Sequence, residues 1–344
     1  MTSGGGLPMA RSLSLGEGEY QRETSRWQDP LFNVRKIKMK TGIIWDPRYL
    51  KHDTGVGHPE SPARLLAIEE IIKQDHSLIR LNPRMATPKE VASVHDIHLV
   101  ELVSSISSSG YFDMDTPYSE GSQEAAFLAA GSVLTAIDEI LSQKIDNAFN
   151  FVRPPGHHAE ANRAMGFCLF NNIAIGAQYL IDQGHSKIAI VDFDVHHGNG
   201  TQHIFYDRKD VFYISTHQFP FYPGTGSASE KGRGDGFGYT LNIPLQAASD
   251  DDDFKKNFQE KIIPALLDYS PNFILVSAGY DAHVRDPLGG LNLTAKGFLL
   301  ISRELCVLAK KICQGRILFV LEGGYDRQGL QEGVEASLTA LCGL

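Results

Sequence analysis

From Thr41 onward the chain alternates short apolar runs with longer stretches of helical periodicity. The apolar, β-rich runs occupy residues 42–45, 148–152, 187–193, 211–216, 272–277 and 316–321. Several are apolar at consecutive positions rather than at every second one, the pattern of strands buried on both faces of a parallel sheet. Between them, helices are predicted over 62–73, 122–141, 171–183, 252–268, 294–311 and 328–341, the first opening on a Ser-Pro start signal. A β-α alternation of this kind predicts an α/β fold: one domain, with a mainly parallel central sheet flanked by helices. No internal repeat or linker divides 41–344. Residues 1–40 lack a sustained period and hold a glycine tract at Gly4–Gly6, so they are expected to form a loosely ordered extension. A transit peptide is the competing reading, and Glu17, Glu19 and Glu23 weigh against it. Met39, just before the first run, is an alternative start.

Composition narrows the function. The 344 residues carry 32 Lys+Arg against 41 Asp+Glu, a net charge of −9. That balance argues against direct nucleic-acid binding through bulk positive charge, while leaving a basic peptide or polyamine acceptable as substrate. Four cysteines, Cys168, Cys306, Cys313 and Cys342, form no CxxC pair or disulfide framework and fit a reducing compartment. No apolar run approaches the ~20 residues of a membrane span. The expectation is a cytoplasmic enzyme without membrane attachment. No pattern in the chain sets its oligomeric state.

Ligands of open parallel sheets bind beyond the carboxyl ends of the strands. Four segments there are unusual. Arg153–Ala159 (RPPGHHA) follows a buried run and presents His157 and His158 side by side, suited to acid–base work near neutral pH. Asp192–Gly200 (DFDVHHGNG) ends another. Continued as a strand, it sets Asp192, Asp194 and His196 on one face, where two carboxylates repel unless a cation lies between them. Ser277–His283 (SAGYDAH) places Asp281 at the same edge, a candidate third metal ligand. Glu322–Tyr325 (EGGY) has two glycines, Gly323 and Gly324, that let the backbone approach a ligand, and aims Tyr325 as an oxyanion donor. Singly, each also fits a plain structural reading: loop histidines, an Asx cap, a turn aspartate, a packed aromatic. Together they amount to one metal with three protein ligands and open positions, the pattern of a catalytic site able to hydrolyse an amide or ester. No GxSxG supplies a serine nucleophile, and Cys168 lies in an apolar stretch unsuited to nucleophilic work.

RPPGHH, GFCLFNN, DFDVHHGNG, FYPGTG, SAGYDAH with DPLGGL, and LEGGY, in this order, resemble the histone deacetylase superfamily, including the acetylpolyamine amidohydrolases and acetoin-utilisation proteins. HHGNG and FYPGTG are more similar to the class II side. The resemblance spans about 41–343. It implies the arginase/deacetylase fold, with about eight strands, and one Zn2+ held by Asp194, His196 and Asp281. That ligand set is oxygen-rich for zinc, so iron(II), manganese or cobalt stay open. It implies His158 as general base and then acid, His157 as electrostatic partner oriented by Asp192, and Tyr325 as oxyanion donor. Asn199 stands where many relatives have Asp behind the second histidine. Gly166, Phe167, Tyr222, Leu288 and Gly323 match substrate-binding positions, with Phe167 and Tyr222 as tunnel walls for a methylene stem and Leu288 at the rim. Asp113 or Asp115 is a further rim candidate. A K+ ion is implied at Asp192, Asp194, His196, Ser215 and Thr216, in part through backbone carbonyls.

The leading expectation is a deacetylase acting on acyl-lysine in a peptide or protein. An acylated polyamine or other small amide is the alternative substrate. A silent acyl-lysine reader is opposed by the completeness of the catalytic set. An arginase-like two-metal enzyme would need more clustered carboxylates than the motifs offer.

Overall fold

The computed structural model describes residues 39–343. The extension expected over 1–40 lies outside the described residues except at its last two positions; there the Lys40 N–H already donates to the Asp146 carboxylate at 2.7 Å.

Among the described residues ten strands run in chain order: β1 Thr41–Ile44, β2 Ile79–Arg80, β3 Gly110–Tyr111, β4 Pro117–Tyr118, β5 Asn147–Asn150, β6 Ile188–Asp192, β7 Val211–Gln218, β8 Thr240–Leu245, β9 Phe273–Ala278 and β10 Ile317–Leu321. Eight form one parallel sheet in the order β2-β1-β5-β10-β9-β6-β7-β8; β3 and β4 pair antiparallel as a separate ribbon. β6, β9 and β10 are buried at every position, which is why their sequences are apolar without alternation. Helices cover the sheet, and the main apolar core fills the interfaces. A second cluster lies under Ser122–Leu141, where Leu99, Val103, Phe127 and Phe170 meet. Ser122–Leu141 is buried on most of its circumference, so it reads as apolar nearly all round.

Six strands and five of the six helices occur where the periodicity puts them, with ends shifted by a few residues at most. Two strands of the main sheet escape it. β2 is two exposed residues, and β8 is an edge strand with Pro244 and Asn242 in it, tolerated because its outer side has no partner to hydrogen-bond. The helix expected over 252–268 is broken: Asp251–Asn257 and Ile263–Tyr269 are joined by a π turn, Phe258–Ile262. Pro264 has no N–H to donate into the preceding turn, and the widened turn accommodates it. The strand carrying DFDVHH also stops at Asp192, so Asp194 and His196 stand in the loop beyond it rather than on one strand face with Asp192.

Candidate active site

The four segments singled out in the sequence leave β5, β10, β9 and β6, which are consecutive in the sheet. Their C-terminal loops therefore converge over its centre.

From these loops Asp194, His196 and Asp281 each offer a ligand atom, all within 4.8 Å of one another. His196 Nδ1 lies 3.2 Å from Asp194 Oδ1 and 3.1 Å from Asp281 Oδ2. Burial works against a charged imidazole there, but the two carboxylates outweigh it and push His196 up to about 10. Burial and then the Asp194 charge push Asp281 up to about 7. Asp194 itself goes down, because His157 and His196 overcome its burial. Two buried carboxylates facing one imidazole form an arrangement that a cation between them would stabilise. The donor set fits a divalent metal, and the cradle is shaped to it. The Gly323 N–H donates to Asp194 Oδ2 at 2.9 Å, and the Val195 N–H to Asp281 Oδ1 at 2.9 Å. A Cβ on Gly323 would lie 2.1 Å from Asp281 Oδ2, and one on Gly279 2.1 Å from Asp194 Oδ2, so only glycine lets the backbone come this close.

The tandem histidines stand beside this cluster, with ring centroids 4.0 Å apart. The His157 Nδ1–H donates to Asp192 Oδ2 at 3.1 Å. The same carboxylate accepts from the Tyr213 hydroxyl and the Asp194 N–H, both at 3.1 Å. Against burial, Asp194 and Asp192 raise His157 to about 10. His158 moves the other way: burial, then the charges on His157 and His196, hold it well below its ordinary value. Its Nδ1 is 2.8 Å from Asn199 Oδ1. The surroundings thus push the two rings in opposite directions. Beneath them Glu322 accepts the N–H groups of Gly156 at 2.6 Å and His157 at 3.1 Å. Burial pushes this carboxyl up to about 7 despite His157.

Tyr325 is half-buried and packs edge-on to Phe167 at 5.9 Å. The Arg64 guanidinium lies over its ring at 4.9 Å and donates to the carbonyls of Gly324 (2.6 Å) and Glu322 (2.5 Å). The Tyr325 N–H donates to Asp286 at 2.6 Å. Burial pushes the phenol well above its ordinary value. Glu60, fully buried, binds Arg64 at 3.1 Å and Arg153 twice, at 2.5 and 2.8 Å, and so ties the RPPGHH loop to the EGGY loop.

Aromatic walls surround the opening. Tyr222 meets His158 edge-on at 5.1 Å, Phe221 stacks on His196 at 5.4 Å, and Phe167 meets His58 at 4.7 Å. Phe167 holds φ 68°, a strained value for a non-glycine residue. Gly166 precedes it at φ 58°, with the His158 ring where a side chain would go. Burial, then Asp115, raises the Tyr222 phenol, and Asp115 is itself raised by burial and by Asp113. Leu288 is half-buried and joins this region through its N–H to Asp286 at 3.0 Å. Ser215 lies opposite Asp192 in the β6–β7 register, with Thr216 next to it; Ser215 Oγ is 2.8 Å from His217 Nδ1. Cys168 is buried, bonded to the Gly166 carbonyl at 3.3 Å, and its thiol is pushed well up by burial. It is a packed, protonated group.

Nothing in the sequence pattern marks Arg64, Glu60, Glu322, Asp286, Phe221 or Glu160 for a role at this site. Glu322 lies inside a motif whose glycines and tyrosine draw the functional reading. Arg64 and Glu60 surround the Ser-Pro helix start, where a charged residue ordinarily reads as a solvated first turn.

A histone deacetylase domain model matches residues 58–341. A probable deacetylase of Archaeoglobus fulgidus is 42% identical over 297 residues, covering 85% of this chain and 83% of its own. Histone deacetylase 14, chloroplastic, of Arabidopsis thaliana is 38% identical over 309 residues, covering 83% and 73%. Among solved structures, the HD domain of HDA15 superposes with a TM-score of 0.85 at 38% identity, over 89% of each chain.

Proposed function

The chain belongs to the histone deacetylase family and has its arginase/deacetylase fold; that membership supports a deacetylase activity, and we propose that the reaction is metal-dependent removal of acetyl, or a related acyl group, from the ε-amino group of lysine in a peptide or protein. The observation that carries the reading is the convergence of Asp194, His196 and Asp281 within 4.8 Å, with the His158 ring 5.9 Å from that of His196. Zinc is the ion proposed, in keeping with the family. Bound by these three residues, it would polarise the amide carbonyl and acidify a water.

The chain's own groups would do the rest. His158, kept neutral, takes the proton of the attacking water and returns it to the leaving amine. His157, charged against Asp192, holds positive potential beside the developing oxyanion. Tyr325 donates its hydroxyl to that oxyanion, on a loop that Arg64 and Asp286 keep in place. Phe167 and Tyr222 clasp the methylene stem and exclude water. K+ is proposed beside Asp192, Asp194, His196, Ser215 and Thr216; Asp192 pairs with Ser215 across β6 and β7, its carbonyl lies 3.5 Å from the Thr216 hydroxyl, and Asp194 and His196 follow in the loop.

One observation favours a second substrate class. Asp113 and Asp115 lie together, the Asp115 N–H donating to Asp113 Oδ1 at 3.2 Å, and a pair of carboxylates near Tyr222 suits a second substrate amine. The test is a zinc-loaded assay of acetate release from acetyl-lysine peptides against acetylputrescine and acetylspermidine. Turnover of the peptides supports the leading reading; turnover of the polyamines alone replaces it with the second; turnover of neither refutes both.

A further inference from the structure

Behind His158 stands an amide, and an amide cannot by itself set a histidine tautomer. Asn199 has two ends of nearly the same shape, one accepting and one donating. Facing His158 with its oxygen, it requires the proton on Nδ1 and leaves Nε2 bare. Turned over, it would present its NH2 group, draw the proton to Nε2 and abolish the base. An aspartate at this position would need no guidance, since both its ends accept.

The structure supplies the guidance one hydrogen bond further out. Asn199 Nδ2 donates to Glu160 Oε1 at 2.6 Å, and in a longer contact to the His158 carbonyl at 3.3 Å; the short, charge-assisted bond is the stronger of the two. Reversing the amide would set two oxygens against each other at that shorter distance. Glu160 is in turn held from several sides. His203 Nδ1 lies 2.9 and 3.0 Å from its two carboxylate oxygens. Its backbone N–H donates to the Arg163 carbonyl at 2.9 Å, and its carbonyl is 3.0 Å from His95 Nδ1. Asn199 and His203 are four apart on the helix Asn199–Phe205, so one helical face delivers both to the carboxylate. The Glu160 side chain is only 13% exposed, which keeps water from replacing the contact.

We propose that Glu160 is a positioning residue for the general base: its carboxylate, clamped by His203, fixes the Asn199 amide so that His158 carries its proton on Nδ1 and presents Nε2 as the base. The proposal rests on the reading of His158 as general base given above.

Two measurements test it, on the full chain loaded with zinc. Histidine-labelled nitrogen NMR, with His158→Gln assigning the resonance, reads the tautomer directly. Steady-state assay on an acetyl-lysine peptide reads the consequence. In Glu160→Gln the amide loses its charged reference and keeps only the longer contact to the His158 carbonyl. The His158 signal should then average between tautomers, and kcat should fall roughly 10–100-fold with KM little changed, a modest version of the loss seen when a base histidine adopts the wrong tautomer. Adding Asn199→Asp should restore most of both, because the introduced carboxylate accepts from His158 and from the amide introduced at position 160, leaving only the longer contact to the His158 carbonyl unmade. Asn199→Asp alone, with two carboxylates in contact, should fall below the double variant. A structural role alone would predict additive losses and no change of tautomer. A single tautomer with kcat within about twofold of wild type in Glu160→Gln, or a double variant no better than its parents, overturns the proposal. Should Glu160→Gln not fold, comparing the double variant with Asn199→Asp decides the question in the same way. Full activity in His158→Ala would instead refute the general-base reading, while the NMR result would still decide what Glu160 does to the tautomer.

Discussion

Gly323→Ala adds one methyl group at the point where the EGGY loop touches the proposed metal ligands. Its Cβ would lie 2.1 Å from Asp281 Oδ2 and 2.7 Å from Asp194 Oδ2, whereas Cβ contacts under 3.0 Å essentially do not occur. The nearer carboxylate oxygen, or the loop, must therefore retreat by about 0.9 Å. Asp281 has little freedom to do so, since its other oxygen holds the Val195 N–H at 2.9 Å. Moving the loop instead pulls the Gly323 N–H off Asp194 and carries Tyr325 with it. Functional constellations tolerate displacements of about 0.5 Å before they fail. Loss of supporting contacts around metal ligands typically lowers metal affinity 10–100-fold. The expected outcome is a zinc affinity weaker by at least about tenfold, read by competition with a chromophoric chelator, and a fall in kcat at saturating zinc. Gly184→Ala is the control. Its Cβ meets nothing, but its φ of +91° makes alanine strained, so it should lower the melting temperature without touching zinc affinity. Wild-type zinc affinity and turnover in Gly323→Ala would refute the argument that this backbone is built around a bound ion.

Tyr325→Phe should lower kcat about 10²–10³-fold, the usual cost of one oxyanion donor, with an unchanged melting temperature; full acetate release from that variant would remove Tyr325 from the mechanism. Asp281→Asn should lose zinc and activity together, and stoichiometric zinc by elemental analysis would take Asp281 out of the ligand set. Three buried histidines should oppose folding as acid is added, well above the ordinary carboxylate range. Burial lowers His52, His95 and His217 from 6.5 to about 4. The unfolded chain then takes up protons below pH 6.5 that the folded one refuses until about pH 4, so stability falls across that window. Glu60 extends the loss: its buried carboxyl, desolvated but held by Arg153 and Arg64, sits at about 2, so its contribution is present above pH 4.5 and disappears as pH falls through 2. Because Asp281 and Glu322, raised to about 7, work in the opposite sense over the same window, the histidines are read singly: NMR titration should find His52, His95 and His217 still neutral at pH 5.5, and protonated rings there would contradict the reading.

The central strands are legible in the sequence because β6, β9 and β10 need only apolar side chains to be buried on both faces. The chemistry is legible because it follows those strands directly. What stays hidden depends on distant partners. Arg64 reaches Tyr325 across 261 positions of sequence, and no local pattern distinguishes such an arginine from a solvated one. Alternation alone puts Asp194 and His196 on a strand face with Asp192. They instead occupy a loop that turns them towards Asp281, because the ladder ends at the register pair Asp192–Ser277. Asn199 is recognisable as a departure from the family, but its meaning needs Glu160, 39 residues away.

The order of strands in the sheet has a consequence for how the protein is made. β10, near the C-terminal end, is inserted between β5 and β9. Until it is in place, the half of the sheet bearing His157 and His158 has no edge shared with the half bearing Asp194, His196 and Asp281. The cradle for an ion and the histidine pair are therefore separate pieces until β10 is laid between them, and that one strand closes the seam along which they meet.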